Sequence, residues 1–299
     1  GVINMNNFKK IGLTALAASL VSTSAFAGEL TATGSASISV ENYSGEQINS
    51  DKAWSMADSV ILSGSTELDN GMTVSMSFEL DDADTAHSYD SHSVSISSDA
   101  LGTLTFSGNG GSSAVSAMDA TAAGDIFDTF DGQIGTAENS TTAGDAAMLT
   151  SPGGDDSLFY TAPSVVDGLA ITASYNGEAG AESSSAFGLT FTGVEGLTVN
   201  YGIGSDDGAA GTANNADVTT MKASYAVGPV TLAYSDHSYD SATATRDQDT
   251  KSMSVAYTIS DSISVSYGTE EMSTGEASTV DAEFTKISAS YTSGGMTIT

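Results

Sequence analysis

Asp69-Asn70-Gly71, followed at once by Met72-Thr73-Val74-Ser75-Met76-Ser77-Phe78-Glu79-Leu80, joins a tight turn to a strand of alternating character. Asn-Gly allows the positive φ angles that short hairpin turns require. In the run that follows, apolar side chains at 72, 74, 76, 78 and 80 alternate with serine, threonine and glutamate. That period of two predicts a β-strand with one apolar and one polar face.

The same pattern of a turn followed by a strand recurs along the chain. It begins again at Ala100-Leu101-Gly102, Asp167-Gly168, Glu195-Gly196, Gly228-Pro229 and Gly294-Gly295. Longer, polar and acidic connections lie between these short turns. Strict alternation of short turns and long loops is typical of a membrane barrel, which has one rim of turns and one rim of loops.

The strand period alone leaves two architectures open. A soluble sandwich would turn the apolar faces to a core, whereas a membrane barrel turns them to lipid. A sandwich with Greek-key crossings has no reason to alternate its loop lengths, and the hydrophobic content of 39% is low for a packed soluble protein of 299 residues. Tyrosines also recur near the strand ends, where membrane barrels carry aromatic girdles; they are Tyr43, Tyr175, Tyr225, Tyr234, Tyr257, Tyr267 and Tyr291. We therefore expect an all-β, transmembrane, antiparallel up-and-down β-barrel.

The strand count predicts a chain that stops before its barrel closes. We expect 14 strands and the beginning of a fifteenth at Met296. Single-chain bacterial barrels have an even number of strands. The interpretation is a barrel over residues 28–299 that is incomplete at the C-terminus.

The N-terminus predicts export. Lys9-Lys10 precedes an apolar run from Ile11 to Val21 and the small-residue site Ala25-Phe26-Ala27, which is the pattern of a secretory signal peptide. We assign residues 5–27 to the signal peptide and residues 1–4, before Met5, to translation upstream of the start. The apolar run is too short for a membrane-spanning helix.

The charge of the chain limits its partners. It has 38 acidic and 7 basic residues, a net charge of −31 at pH 7, and no cysteine. Such a charge repels nucleic acid and anionic lipid and attracts cations. Without cysteine, neither a disulfide nor a thiolate metal site can form.

One connection is unusually long. From Gly108 to about Ser157 the sequence predicts no strand, and structureless stretches of this length inside a compact fold are usually functional. The segment is rich in carboxylates and also holds Phe127 and Phe130. Its acidic residues of interest are Asp119, Asp125, Asp128, Asp131, Glu138 and Asp145.

These features together resemble the general bacterial porins of the alphaproteobacterial, Rhodobacter-like type. The resemblance is carried by the signal ending Ala25-Phe26-Ala27, the turn at Asp69, the outer strand end Asp81-Asp82-Ala83-Asp84, and the acidic loop with Ala123-Gly124-Asp125-Ile126-Phe127. It covers nearly all of the mature chain. It implies 16 strands in the full-length protein, a homotrimer in the outer membrane, and a third loop that folds into the barrel.

The resemblance also implies site residues. Folded inward, residues 108–157 would form a constriction bearing Asp119, Asp125, Asp128, Asp131 and Glu138, with Phe127 and Phe130 fixing the loop to the wall. The pore wall would carry Glu79, Asp81, Asp82, Asp84 and Lys222. The family usually sets a basic cluster opposite this loop, whereas residues 72–82 of this chain offer Ser75, Ser77 and Glu79. A ring of carboxylates without that cluster predicts a preference for cations.

Other chemistries are less well supported by the residues. The clusters Asp81-Asp82-Ala83-Asp84, Asp155-Asp156 and Asp206-Asp207 could bind Ca²⁺ weakly, but none has EF-hand spacing, and solvated loop charge explains them better. His87, His92 and His237 follow no metal-ligand spacing, and we expect His87 and His237 in loops. No serine elbow, nucleophile–histidine pair or phosphate-binding loop is present, so we expect neither an enzyme nor a cofactor.

The function predicted from the sequence is passive diffusion of small hydrophilic solutes and cations through an outer-membrane channel. Two alternatives stay open at this point. One is a secreted acidic β-rich surface protein, such as an adhesin or a surface-layer component; the other is a plugged barrel that serves as a receptor or an anchor.

Overall fold

A computed structural model describes residues 30–42, 52–81, 90–118, 121–124, 126, 148–149, 154–177, 183–207, 215–243, 247–275, 281–293 and 296–298. Every named element in these residues is a β-strand. The strands are β1 Thr31–Asn42, β2 Lys52–Glu67, β3 Thr73–Asp81, β4 Ser91–Ser98, β5 Gly102–Asn109, β6 Ser157–Thr161, β7 Leu169–Gly177, β8 Ser183–Val194, β9 Leu197–Asp207, β10 Asn215–Val227, β11 Val230–Ser241, β12 Gln248–Ser260, β13 Ile263–Thr274, β14 Ala282–Ser293 and β15 Met296–Ile298.

The strands form one sheet in which each strand pairs with its neighbours in sequence. The spatial order runs from β1 to β15 without a crossover, and the pairs are antiparallel, as in Ser63↔Ser77 between β2 and β3. The expected all-β, antiparallel up-and-down fold is therefore confirmed. Within the described residues no pairing joins β15 to β1, so the sheet is open between these two strands.

Tight turns occupy the positions that the sequence predicts. At the first of them the amide of Gly71 donates to the carbonyl of Leu68 at 2.9 Å. The amide of Leu68 donates in turn to the carbonyl of Met72 at 2.7 Å. Gly71 has a φ of 79° and Gly168 a φ of 73°, a region in which a residue with a Cβ is strained. Because the sheet runs up and down without a crossover, the short connections among the described residues lie at one rim.

The two faces of the sheet differ in chemistry as the alternation predicts. On the outer face Met76 is 43% exposed, flanked by the exposed apolar residues Val60, Leu80 and Val94. Farther along the sheet, Ile287 of β14 is 80% exposed on the same face. The apolar side of the strands therefore faces outward and is not packed between two layers.

Six of the tyrosines that the sequence places near strand ends lie on this outer face. Each is between 40% and 52% exposed: Tyr175, Tyr225, Tyr234, Tyr257, Tyr267 and Tyr291. Tyr43 lies outside the described residues. The described part of the chain has no helix long and apolar enough to cross a membrane.

Among the described residues, burial is confined to the inner face. The fully buried apolar residues belong to two small clusters, in which residues of the 108–157 segment meet β8, β10 and β11 in one case and β13 and β14 in the other. Buried polar residues of the same face accompany them, including Thr220, His237, Gln248 and Glu270. The inner face of the sheet is therefore covered in part by residues of the 108–157 segment.

Candidate functional site

The long connection leaves the sheet and returns to it at a paired neck. Gly111 and Gly154 form an isolated antiparallel bridge, in which the amide of Gly154 donates to Gly111 at 2.6 Å and that of Gly111 donates to Gly154 at 3.2 Å. Just beyond the neck, the amide of Ala114 donates to Ser174 Oγ on β7 at 2.8 Å. The segment is thus turned onto the inner face from its first residues.

A second attachment fixes the peptide groups of Ala122. Its amide donates to Ser235 Oγ of β11 at 2.9 Å, and its carbonyl accepts from Ser254 Oγ of β12 at 2.6 Å. Each serine lies an even number of positions from the other inward-facing residues of its strand, so its hydroxyl points to the interior. Two neighbouring strands therefore hold one loop residue from both sides.

The residues on either side of Ala122 are held in the same way. The carbonyl of Thr121 accepts from Lys222 Nζ of β10 at 2.8 Å. The amide of Ala123 donates to Ser252 Oγ of β12 at 2.8 Å, and that hydroxyl donates to Glu270 Oε1 of β13 at 3.2 Å. Lys222, which the sequence assigns to the pore wall, lies on the inner face and contacts the loop backbone.

A third attachment holds Leu149, on the returning limb of the segment. Its carbonyl lies 2.6 Å from His237 Nε2, and its amide donates to Gln248 Oε1 at 2.7 Å. The other ring nitrogen, His237 Nδ1, lies 2.6 Å from Thr220 Oγ1 on β10. With Nε2 as the donor and Nδ1 as the acceptor, the imidazole is neutral and both nitrogens are satisfied.

The position of His237 corrects the expectation from the sequence. His237 belongs to β11, which continues to Ser241 and pairs there with β10, and its side chain is 1% exposed. The strand persists because its polar inner face is covered by the loop, so the polar composition that indicated a loop reflects that contact. His237 is a buried wall residue that binds the loop.

Apolar contacts complete the attachment. Val115 is 1% exposed among Ala186, Val218 and Tyr239, and Ile126 is 1% exposed beside Met272 and Phe284. Burying a side chain of this size contributes about 1.5 to 3 kcal/mol. The sequence assigned the anchoring role to Phe127 and Phe130, which lie outside the described residues.

Glycines in the wall let the loop come this close. A Cβ added to Gly202 of β9 would lie 3.2 Å from Val115 Cγ2 and within clashing distance of Met118. A Cβ added to Gly268 of β13 would lie 2.7 Å from Ala123 Cβ. Neither glycine stands out in the sequence. The strand period shows that a glycine faces inward, but it does not show whether a loop residue packs against it.

A group of acids lies on the inner face at the loop rim of β3. Carboxylate oxygens of Glu79, Asp81 and Asp90 lie within 4.8 Å of one another. Ser91 Oγ donates to Glu79 Oε2 at 3.1 Å, and the amide of Asp90 donates to the carbonyl of Glu79 at 3.0 Å. Oxygen atoms at this spacing concentrate negative potential. Of these three residues only Asp81 belongs to a cluster for which the sequence predicts weak Ca²⁺ binding, and that binding stays a prediction.

The other assigned site residues fall outside the described residues. They are Asp82 and Asp84 of the wall, and Asp119, Asp125, Asp128, Asp131 and Glu138 of the loop. Two of the loop acids border described residues, since Asp119 follows Met118 and Asp125 lies between Gly124 and Ile126. The anchors Ser174, Ser235, Ser252, Ser254 and Gln248 were not singled out from the sequence.

The inner face carries few positive charges. Among basic residues whose side chains are described, Lys222 and Lys286 lie on the inner face, where Lys286 pairs with Gly268. Lys251 lies on the outer face in register with Asp236 and Glu271. The wall formed by β2 to β4 presents serines and the acids Glu79 and Asp81 within the described residues.

Known porins share this fold. The chain resembles OmpF of Salmonella typhi, solved with daunomycin, at a TM-score of 0.61 and 13% identity over 89% of this chain and 87% of that one. It resembles an anion-selective porin of Comamonas acidovorans at 0.62 and 13% identity over 89% and 86%. A mutant of the Rhodobacter blastica porin matches at 0.59 and 13% identity over 88% and 90%.

The sequence comparisons give the family. The comparison with curated protein sequences returned no match. The family model of the Gram-negative porins matches residues 12–299, nearly the whole chain. With a sheet that runs strand by strand around its own long loop, and with porins as its structural neighbours, this chain belongs to the Gram-negative porin family.

Proposed function

We propose that the protein is an outer-membrane porin that lets small hydrophilic solutes and ions diffuse passively through a water-filled lumen, and that it prefers cations. The single observation that carries the proposal is the attachment of the long connection to the polar inner face, while apolar side chains cover the outer face. A lumen narrowed by its own loop sorts solutes by size and charge without any reaction. No catalytic step and no cofactor enter the proposal.

The preference for cations follows from the charge balance. A net charge of −31, wall carboxylates at Glu79 and Asp81, and loop carboxylates at Asp119, Asp125, Asp128, Asp131 and Glu138 would raise the local concentration of cations. The porin of Comamonas acidovorans is described as anion-selective. Since the fold is shared, selectivity must come from side chains such as these.

The surroundings of the protein are part of the proposal. The segment 5–27 would direct export and be removed, leaving Gly28 or Glu29 as the first residue. The mature protein would lie in the outer membrane of a Gram-negative bacterium, in contact with lipid through its apolar outer face, and would assemble as a homotrimer. Outer-membrane lipid, small solutes and cations are then its partners.

Planar bilayers test this function. The full-length mature protein should insert in steps of conductance, and a KCl gradient should give a reversal potential of the sign expected for K⁺ preference. Replacing Asp125, Asp128 and Asp131 with Asn should move that potential toward zero, and Glu79→Gln should do so more weakly. Failure to conduct would refute the channel; a preference for chloride at neutral pH would refute its sign.

The salt dependence provides an internal control. Electrostatic screening acts over about 8 Å at physiological ionic strength and about 3 Å at 1 M salt. Cation preference that arises from wall and loop carboxylates should therefore weaken as the KCl concentration rises. A preference that does not change with salt would indicate a different origin, such as a steric one.

A further inference from the structure

A groove with a volume of about 350 Å³ follows the inner wall of β1 to β4. The inward residues that line it are Thr31 and six serines: Ser63, Ser65, Ser75, Ser77, Ser93 and Ser95. Gly64 and Met76, at outward positions of the same strands, also border the groove. We call these six serines the hydroxyl wall. Among the described residues, none that lines the groove carries a carboxylate, an ammonium group or an aromatic ring.

The pairing of the strands arranges these hydroxyls in rows. One row contains Ser63, Ser77 and Ser93, and Thr31 of β1 pairs with Ser63. The second row contains Ser65, Ser75 and Ser95. Neighbouring strands lie about 4.8 Å apart and alternate residues of one strand about 7 Å apart. The result is a regular grid of side-chain oxygens on one side of the lumen.

The hydroxyl wall and the loop anchors are made of the same residue type but are used differently. Ser174, Ser235, Ser252 and Ser254 exchange hydrogen bonds with loop peptide groups. Within the described part of the chain, the six serines of the wall make no hydrogen bond through their side chains. Their donor and acceptor positions face the groove and are available to whatever fills it.

The chemistry of the groove selects a class of solute. A serine hydroxyl donates one hydrogen bond and accepts two, so it matches another hydroxyl in both roles. Water competes for each position, and one hydroxyl gains little over water. Only a solute that engages several grid positions at once gains from the wall. Among the described residues that line the groove, an ammonium or carboxylate solute would find no opposite charge, and an apolar ring would find no stacking partner.

We propose that the hydroxyl wall is a transit site for neutral polyhydroxylated solutes, such as linear polyols and monosaccharides, which bind it weakly while they pass. The groove volume lies at the lower end of the range for small-molecule sites. The inference rests on the proposed channel function, because solutes reach this wall only through the lumen. It adds a preference for solutes by chemistry to the sorting by size and charge.

The test compares sorbitol with a linear ether glycol of similar size. The full-length protein is reconstituted in liposomes, and the influx ratio of sorbitol to the ether glycol is measured by swelling. A variant with Ser75→Ala, Ser77→Ala, Ser93→Ala and Ser95→Ala should lower that ratio roughly fivefold, which is the effect of one net hydrogen bond. The matching serine-to-threonine variant keeps all four hydroxyls and should keep the ratio close to that of the parent.

A control variant separates this groove from lumen hydroxyls in general. Ser264, Ser266 and Ser288 lie on the inner face of β13 and β14, where Ser266 pairs with Ser288, and none of them lines the groove. Their replacement by Ala should leave the ratio unchanged. An equal fall in both variants, or no fall in the fourfold alanine variant, would overturn the transit site.

The conductance of the same preparations distinguishes the two levels of the argument. Normal K⁺ conductance with an unchanged sorbitol ratio would refute the transit site and leave the channel intact. A lowered K⁺ conductance with an unchanged sorbitol ratio would assign the wall to cations and overturn the proposal for polyols. Absence of any conductance in the parent would refute the channel, and the transit site with it.

Discussion

The hydrogen bonds that fix residues 122 and 123 to the wall allow the role of the loop to be measured. Ser235→Ala together with Ser252→Ala removes the acceptors of two loop amides. Both serines are 1% exposed, so water has little access to replace them. Leaving a buried amide without its partner costs about 1 to 3 kcal/mol, and two such losses cost about 2 to 6 kcal/mol if they are independent.

This cost falls mainly on the docked loop, although Ser252→Ala also removes the hydrogen bond that Ser252 Oγ donates to Glu270 Oε1 of β13. The backbone pairing of β11 with β12 does not use the serine side chains, so the sheet should remain folded. A loss of about 2 kcal/mol already raises the population of the undocked loop roughly 30-fold. We therefore expect channels with larger and noisier currents, and faster influx of sugars that are close to the size limit of the parent.

Single-channel recording and liposome swelling provide the assay. Ser264→Ala with Ser266→Ala is the matched control, because these serines also face inward but make no side-chain hydrogen bond in the described residues. The control should behave as the parent does. If the double variant at Ser235 and Ser252 folds normally and its currents, noise and size limit do not change, the loop does not narrow the channel through these contacts.

Three further perturbations test other parts of the account. Lys222→Met should strengthen cation preference, and it should loosen residue 121 and so add current noise. Lys222→Gln removes the charge but keeps a donor, so it should change the reversal potential with less added noise. Equal current noise in both variants would contradict the contact between Lys222 and the carbonyl of Thr121. Gly268→Val should displace the loop at a cost of about 1 to 3 kcal/mol, which would be seen as a change in conductance. A Cβ added at Gly64 has no neighbour within 4 Å, so Gly64→Val should leave the conductance unchanged. Met76→Arg on the outer face should lower the free energy of unfolding by about 2 to 4 kcal/mol, measured by urea unfolding from liposomes. Ser75→Arg on the inner face should lower it far less and should reduce cation preference. A larger loss of stability in Ser75→Arg than in Met76→Arg would refute the assignment of the two faces.

The strands could be predicted because a period of two is a local property. The run from Thr73 to Asp81 repeats apolar and polar residues without interruption, and Asn70-Gly71 marks the turn before it. These signals give the strand positions and the up-and-down order without knowledge of any distant contact. They also give the two faces, but not which of them meets water.

The loop contacts could not be predicted in this way because they join distant parts of the chain. Ala123 meets Ser252 across 129 positions, and nothing near Ser252 distinguishes it from Ser77, which faces the open groove. His237 was assigned to a loop because its neighbours are polar, yet the pairing of β11 with β10 and β12 carries the strand through it. A polar strand end under a docked loop and an exposed loop have the same composition.

Anchoring by Ile126 was missed for a related reason. The resemblance assigned the anchoring role to Phe127 and Phe130, which lie outside the described residues. Ile126, which the resemblance did not single out, is buried against Met272 and Phe284. Which side chains of the loop face the wall depends on the backbone of the loop, and a segment without periodicity does not reveal it.

The orientation of the two faces is the claim on which the rest depends, and cysteine labelling measures it directly. The chain contains no cysteine, so single substitutions from residue 74 to residue 79 each introduce one thiol. In liposomes, a water-soluble maleimide should label the variants at Ser75, Ser77 and Glu79 and leave those at Val74, Met76 and Phe78 unreacted. Labelling of the second set instead of the first, or equal labelling of both, would contradict an aqueous lumen on the hydroxyl-rich side.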